Sequence, residues 1–516
     1  MMLSLVTLLP ILAALVVWLA PQSASKPLSL GASLVVFAVS LPLWFGFDPA
    51  GAEYQFVEVC KWIPAWGVDW RLGMDGVSLL LVLLTTALTP LILLSAFSGV
   101  TTGYRGYAAL MLALEGFMIG TFLALDTFLF YVFWELVLLP MYFLIGIWGG
   151  ERRIYAAVKL FIYTVAGSLL MLVALIGLYA AFHEQTGKWS ANLADLLSIT
   201  LSMGAQKWMF VCMAIAFAIK VPMFPVHTWL PDAHVEAPTG GSVVLAGVML
   251  KMGTYGFYRF ALPLFPDAVM AYGPVLIALA VIGVVYGALV AMVQDDVKKL
   301  VAYSSVSHLG YVMLGLFALN APGISGGIYQ MLAHGVSTGA LFFLVGILYE
   351  RRHTRRIADY GGLAKVVPKF AFVFMVITFA SIGLPGLNGF VGEFMILIGA
   401  FQYAPIPTAI AGTGVILGAV YMLWCYQRMM FGPQQNEANR DLPDLNLREI
   451  AYLAPLVLLA FAMGLFPQPL LDRINPSVDR LLVRMEQHYD TTPYPSACAD
   501  GCTDSWSIPW LAKDVE

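Results

Sequence analysis

The chain has 516 residues, of which 60% are hydrophobic and 11% charged, and its mean hydropathy is +0.82. A soluble domain carries about 25% charged residues, so this composition excludes a globular protein with a water-covered surface and makes the bilayer the natural solvent. A net charge of −4 gives no reason to expect nucleic acid as a partner.

In chain order, Met1–Ala20 carries no Lys or Arg ahead of its apolar run, and the first cation is Lys26. That pattern predicts a retained first helix with its N-terminus outside. A span needs about 20 mostly apolar residues. This ruler gives segments at 1–20, 29–47, 76–98, 106–125, 127–148, 155–182, 207–229, 240–262, 272–293, 299–320, 326–348, 369–401, 407–431 and 449–471. The fold expected is an all-α membrane protein of about fourteen transmembrane helices, followed by a polar external tail, 472–516. In that tail, Cys498 and Cys502 are candidates for a disulfide.

Loop charge sets the orientation. With the N-terminus outside, the inside loops carry sixteen Lys and Arg, from Lys26 to Arg448 and including the run RRHTRR at 351–356. The outside loops carry five, Lys61, Arg71, Lys188, Lys207 and Arg259, with four more in the C-terminal tail. The excess belongs on the cytoplasmic side, so both termini are expected on the external face.

Two segments are interrupted. The seventh contains Pro222 and Pro225 in AFAIKVPMFPVHTWLP, and the twelfth contains Pro385 and four glycines in SIGLPGLNGFVGEF. Proline removes a helical donor and clashes with the preceding turn. Backbone freed at membrane depth is tolerated only inside protein or beside water. Breaks at corresponding positions point to a transporter built from inverted repeats. The spacing of five predicts one repeat over 106–262 (helices 4–8) and a second over 272–431 (helices 9–13). Residues 1–105 supply helices 1–3, and 449–471 supply helix 14. The plain alternative is two kinked, packed helices.

Ionisable residues lie far from any loop. Glu115, Glu135, Lys220, Lys251 and Glu393 are placed within segments, and His308 and His334 fall in the tenth and eleventh. Each charge at a helix centre costs about 2.5–3.5 kcal/mol on insertion scales. Static ion pairs rarely repay such burial over apolar packing, which favours a functional reading. A buried Lys responds to the distance of a nearby carboxylate, so movement of Glu135 relative to Lys220 would load or discharge it. Histidine relays protons near neutral pH.

Other chemistry finds no motif. There is no P-loop, no GxGxxG after a strand and no HExxH. No cysteine pattern fits zinc or an iron–sulfur cluster. His227 and His234, with Asp232 and Glu236, read as a hydrogen-bonding loop rather than a metal site. Asp295, Asp296, Lys298 and Lys299 read as a solvated turn.

Four stretches carry a family resemblance: FYVFWELVLLPMYFLIGIWG, AIKVPMFPVHTWLPDAHVEAPTGGSVVLAGVMLKMGTYGFYRF, AYSSVSHLGYV and GLPGLNGFVGEF. They resemble the antiporter-like subunits of proton-pumping NADH:quinone oxidoreductase, respiratory complex I, over residues 1 to about 471. Glu393 stands where the L and N types are expected to carry Lys, and no long lateral helix follows the last span. Both features point to the M type. The resemblance implies a proton channel through Glu135, Lys220, Lys251 and Glu393, with His308 and His334 connecting and Glu115 secondary. It also implies a bacterial inner membrane location and neighbours of the L and N types. No cofactor or metal is expected in this chain, since NADH, FMN, iron–sulfur clusters and quinone would be handled by other subunits. A multi-subunit sodium/proton antiporter or a membrane-bound hydrogenase is the alternative assembly.

Overall fold

The computed structural model describes residues 1–434 and 436–491; Cys498 and Cys502 lie outside them. All fourteen predicted segments coincide with helix. Among the described residues, eleven helices are long and apolar enough to cross a membrane. The eighth, tenth and twelfth segments fall outside that set, and they carry Lys251, His308 and Glu393. Glu115, Glu135, Lys220 and His334 lie within the eleven.

The breaks have local causes. The seventh segment is helical over Met203–Lys220 and resumes at Trp229–Glu236. Pro222 cannot donate to the carbonyl of Ala218, which accepts instead from the Met223 N–H at 2.8 Å. The carbonyl of Ile219 is taken by the Trp229 indole at 2.9 Å, so no freed group is left bare. The twelfth segment is split into Pro368–Ser381 and Asn388–Tyr403. Between them, Gly383 and Gly386 adopt φ of +75° and +92°, a backbone that favours glycine. The eighth segment runs from Thr239 to Leu264 and includes two π-helical turns, Leu245–Met249 and Phe257–Ala261.

The fifth and tenth segments begin in the same way. Asp126 accepts from the N–H groups of Phe128 and Leu129, both at 3.0 Å. Asp296 accepts from Lys298 and Lys299 at 2.7 and 3.1 Å. Each Asp also forms an isolated antiparallel bridge to the loop that precedes a broken segment, Asp126 with Asn192 and Asp296 with Arg356.

Two elements depart from the sequence expectation. Residues 55–74 form an antiparallel hairpin of β1, Gln55–Ile63, and β2, Val68–Met74. The expected polar tail begins as a helix, Gln468–Thr491. Its buried Ile474, Val478, Leu481 and Met485 recur at helical spacing. Arg484 pairs with Glu53 at 2.9 Å, and Ser477 Oγ accepts from the Gly76 N–H at 3.2 Å. A Cβ at Gly76 would lie 1.8 Å from the Arg473 carbonyl oxygen, so this approach requires glycine.

Arg259, expected in an external loop, is instead buried on the eighth segment two turns beyond Lys251. It pairs with Asp75 at 2.6 Å. It also donates to the hydroxyls of Tyr255 and Tyr54, both at 3.0 Å, and to Ser78 at 3.1 Å. Burial pushes the Tyr54 phenol up to about 12, against the opposing pull of Arg259, so it stays protonated at ordinary pH. Removing one member of such a buried pair costs about 3–5 kcal/mol because the other charge is stranded. Arg259→Met is expected to lower the amount of assembled complex on a native gel. Arg259→Met with Asp75→Leu should recover most of it.

Candidate functional site

The structure gathers the predicted residues into two groups. The first lies around the break of the seventh segment. Lys220 is the last residue of helix Met203–Lys220 and is 3% exposed. Its ammonium sits over the ring of Trp134, 5.3 Å from the centroid. Glu135, the next residue, is within electrostatic reach, yet no contact ion pair joins the two among the described residues. Glu135 lies one residue from the end of helix Thr127–Leu136, and its buried Oε1 has no hydrogen-bond partner. Pro140 lacks the N–H that would bond Leu136, and the helix is interrupted at Val137 between them. The pair is thus close enough to interact and free enough for its separation to change.

The second group is a continuous row. Lys251 is fully buried between the two π-helical turns; such turns often mark functional sites. Its ammonium donates to the Ala246 carbonyl and meets Nδ1 of His334 at 2.7 Å. The His334 and His308 rings lie 5.8 Å apart, centroid to centroid. Nε2 of His334 has no partner. His308 Nδ1 meets Glu393 Oε1 at 3.0 Å, and Gln330 Nε2 donates to the same oxygen at 3.0 Å. Side chains of the eighth, eleventh, tenth and twelfth segments therefore line up three bases, Lys251, His334 and His308, ending on one acid, Glu393. The carboxylate is accommodated by the break itself: a Cβ at Gly383 would lie 2.9 Å from Glu393 Oε2.

Glu115 belongs to neither group. It is fully buried beside Thr89 of the third segment. His227 packs against Phe224 and Tyr286. Among the described residues, no three His, Cys, Asp or Glu side chains are arranged to hold a metal ion. The expected solvated turn at 295–299 is a helix start, with Lys298 buried and donating to the Ala237 carbonyl at 2.6 Å. Gln330 is a polar neighbour of the row that sequence reasoning left out; His234, expected in a hydrogen-bonding loop, is instead buried in helix Trp229–Glu236 with neither ring nitrogen hydrogen-bonded. The signal for Gln330 was its place four residues before His334, on one helical face.

Three buried bases ending on a buried acid, spread over interrupted helices of a multi-pass membrane protein, are the pattern of an antiporter-like membrane subunit. A family model described as "NADH:quinone oxidoreductase/Mrp antiporter, TM" matches residues 124–418. The chain is 48% identical over 495 residues to NADH-quinone oxidoreductase subunit M of Rhodobacter capsulatus, covering 93% of this chain and 96% of that one. It is 42% identical over 479 residues to NADH-ubiquinone oxidoreductase chain 4 of Marchantia polymorpha, covering 92% and 96%. A solved chain of respiratory complex I from Thermus thermophilus with bound NADH superposes with a TM-score of 0.86 at 35% identity, covering 94% and 100%. The Mrp complex from Dietzia matches at TM-score 0.80 but 22% identity, covering 99% of this chain and 58% of that one; this likeness concerns the fold alone. The chain belongs to this family, and within it to the M-type membrane subunits of NADH:quinone oxidoreductase, a translocase.

The row predicts a graded response. Glu393→Gln keeps the shape and fixes the end of the row neutral. Removing a positioned proton carrier costs about 10²–10⁴-fold. NADH-driven acidification of vesicles, normalised to assembled complex, should fall at least tenfold; parent-level pumping would exclude Glu393 as a carrier.

Proposed function

We propose that this chain forms one proton channel of its complex, with Lys220 and Glu135 as the modulated pair and Lys251, His334, His308 and Glu393 as the carrying row. The observation that supports this most is the buried row, in which successive groups meet at 2.7 and 3.0 Å with one ring-to-ring gap of 5.8 Å. A gap of that size is crossed by ring rotation or by one water, within the reach proton transfer needs. Glu115 is a secondary carboxyl, reached only by water.

The channel is read as two inverted repeats, 106–262 and 272–431. The matched caps Asp126 and Asp296, each bridged to the loop before a broken helix, support that reading. One cap falls on the side assigned as external and the other on the cytoplasmic side, as inversion requires. Cytoplasmic placement of the positive loops puts both termini outside a bacterial inner membrane. L-type and N-type subunits are its neighbours, and lipid covers the remaining apolar face. The chain holds no cofactor of its own; NADH, FMN, iron–sulfur clusters and quinone are the business of other subunits.

Lys220→Ala is expected to remove most pumping while the complex still assembles, read by vesicle acidification and a native gel. Glu135→Gln should act in the same direction, and Glu135→Asp should retain more activity. If Gln and Asp behave alike, the charge at residue 135 is not the property that matters.

A further inference from the structure

Glu393 has a partner that the row does not use. Gln330 lies on helix Ala321–Arg352 and is 2% exposed. Its Nε2 donates to Glu393 Oε1 at 3.0 Å, the same oxygen that His308 Nδ1 meets at 3.0 Å. The amide carbonyl of Gln330 has no hydrogen-bond partner. It is pressed against the twelfth segment at Gly392, where a Cβ would lie 2.6 Å from it. Leaving a buried acceptor unpaired is costly, and such an atom calls for an explanation. Turning the amide over gives no relief, because its carbonyl would then face the carboxylate. The unpaired carbonyl is the consequence of keeping an N–H donor on Glu393.

The two oxygens of that carboxyl group stand in different surroundings. Oε1 accepts from Gln330 and faces His308. Oε2 takes no hydrogen bond among the described residues and lies at the break of the twelfth segment, against Gly383. When His308 gives its Nδ1 proton to Oε1, an N–H bond breaks, an O–H bond forms and no electron moves. The neutral carboxyl is then one donor with acceptor capacity left over. Rotation about Cγ–Cδ exchanges its two oxygens and carries the O–H to the break. A carbonyl oxygen is left facing an imidazole nitrogen that has just lost its hydrogen, lone pair against lone pair. The amide of Gln330 is the donor that remains for it.

We propose that Gln330 is a positioning residue for Glu393: its amide holds whichever carboxyl oxygen faces His308, so that the carboxyl can turn and present its proton at the break. The inference rests on the channel reading above. Without this donor the turned carboxyl has a buried oxygen with no partner, the turn is disfavoured, and the proton goes back to His308. Gln330 carries no proton itself. It separates the oxygen at which the proton arrives from the position at which it leaves.

The test uses the whole complex reconstituted in vesicles. Gln330→Met keeps the side-chain length without the amide, and Gln330→Asn keeps the amide but draws it back by one methylene. Neither adds bulk beside Gly392, so both are expected to assemble on a native gel. NADH-driven acidification, normalised to assembled complex, should fall at least tenfold in Gln330→Met and less in Gln330→Asn. Infrared difference spectra taken on reduction with NADH give a readout that packing alone does not move. The carboxyl C=O band of Glu393 is the one that Glu393→Gln removes. In Gln330→Met that band should move to higher frequency, because the carbonyl has lost its N–H donor. If Gln330→Met does not assemble, the same two measurements on Gln330→Asn decide. Pumping at the parent rate overturns the assignment, and so does a stalled variant whose carboxyl band stays in place. Normal pumping by Glu393→Gln, or a spectrum from which it removes no band, means that the channel reading itself fails.

Discussion

Hydrocarbon solvates neither charge nor bare backbone, and this constraint governs the molecule. Several departures from regular helix are matched by a partner for the group they free. The carbonyl of Ile219, released by the prolines, is held by the Trp229 indole. The ammonium of Lys251 donates to the Ala246 carbonyl beside a π-helical turn. Arg259 is surrounded by Asp75, two tyrosines and a serine. Where partners are complete, as at Arg259, the cluster is fixed. Where they are incomplete, as at Glu135, His234 and Nε2 of His334, the groups are left able to exchange.

That difference divides the chain into rigid and changeable parts. The far end of the eighth segment is clamped by Arg259, within the second π-helical turn, while its middle carries Lys251. Motion introduced at the first turn therefore acts on Lys251 against a fixed anchor. The two halves also differ. Glu135 and Lys220 interact without touching, whereas His308 and Glu393 are in contact. A separated pair is suited to respond to distance, and a contacting pair to hand on what it receives.

Much of this was legible in the sequence, because the bilayer imposes a length and proline imposes a break. The fourteen segments followed from runs of about 20 apolar residues, and the interruption beside Lys220 followed from Pro222 and Pro225. Lys251, His334, His308 and Glu393 stood out as polar residues in apolar surroundings. What failed to show depended on tertiary partners. Arg259 read as a loop charge because nothing local announces Asp75. Lys298 read as solvated because its acceptor, the Ala237 carbonyl, lies 61 residues away in sequence. The π-helical turns have no signature in composition. The hairpin had only its β-branched and aromatic content to announce it, because the polar residues of QFVEVCKWI recur every third position and not every second, and the search for apolar spans passed over it. Helix Gln468–Thr491 was hidden by its polar average, since its apolar residues occupy one face only.

That last helix binds the end of the described chain to its beginning. Ser477 meets Gly76 across 401 residues of sequence, and Arg480 reaches the carbonyl of Gly51 across 429. The ribosome makes the hairpin among the first elements and this helix after all fourteen segments, and contacts so distant in sequence form late. The contacts of this helix with residues 44–53 and 76 are therefore made only when the chain has been synthesised nearly to its end. A chain cut short before residue 468 would insert its spans and still leave Glu53 and the Gly51 carbonyl without their arginine partners, so unfinished copies differ from finished ones at that face.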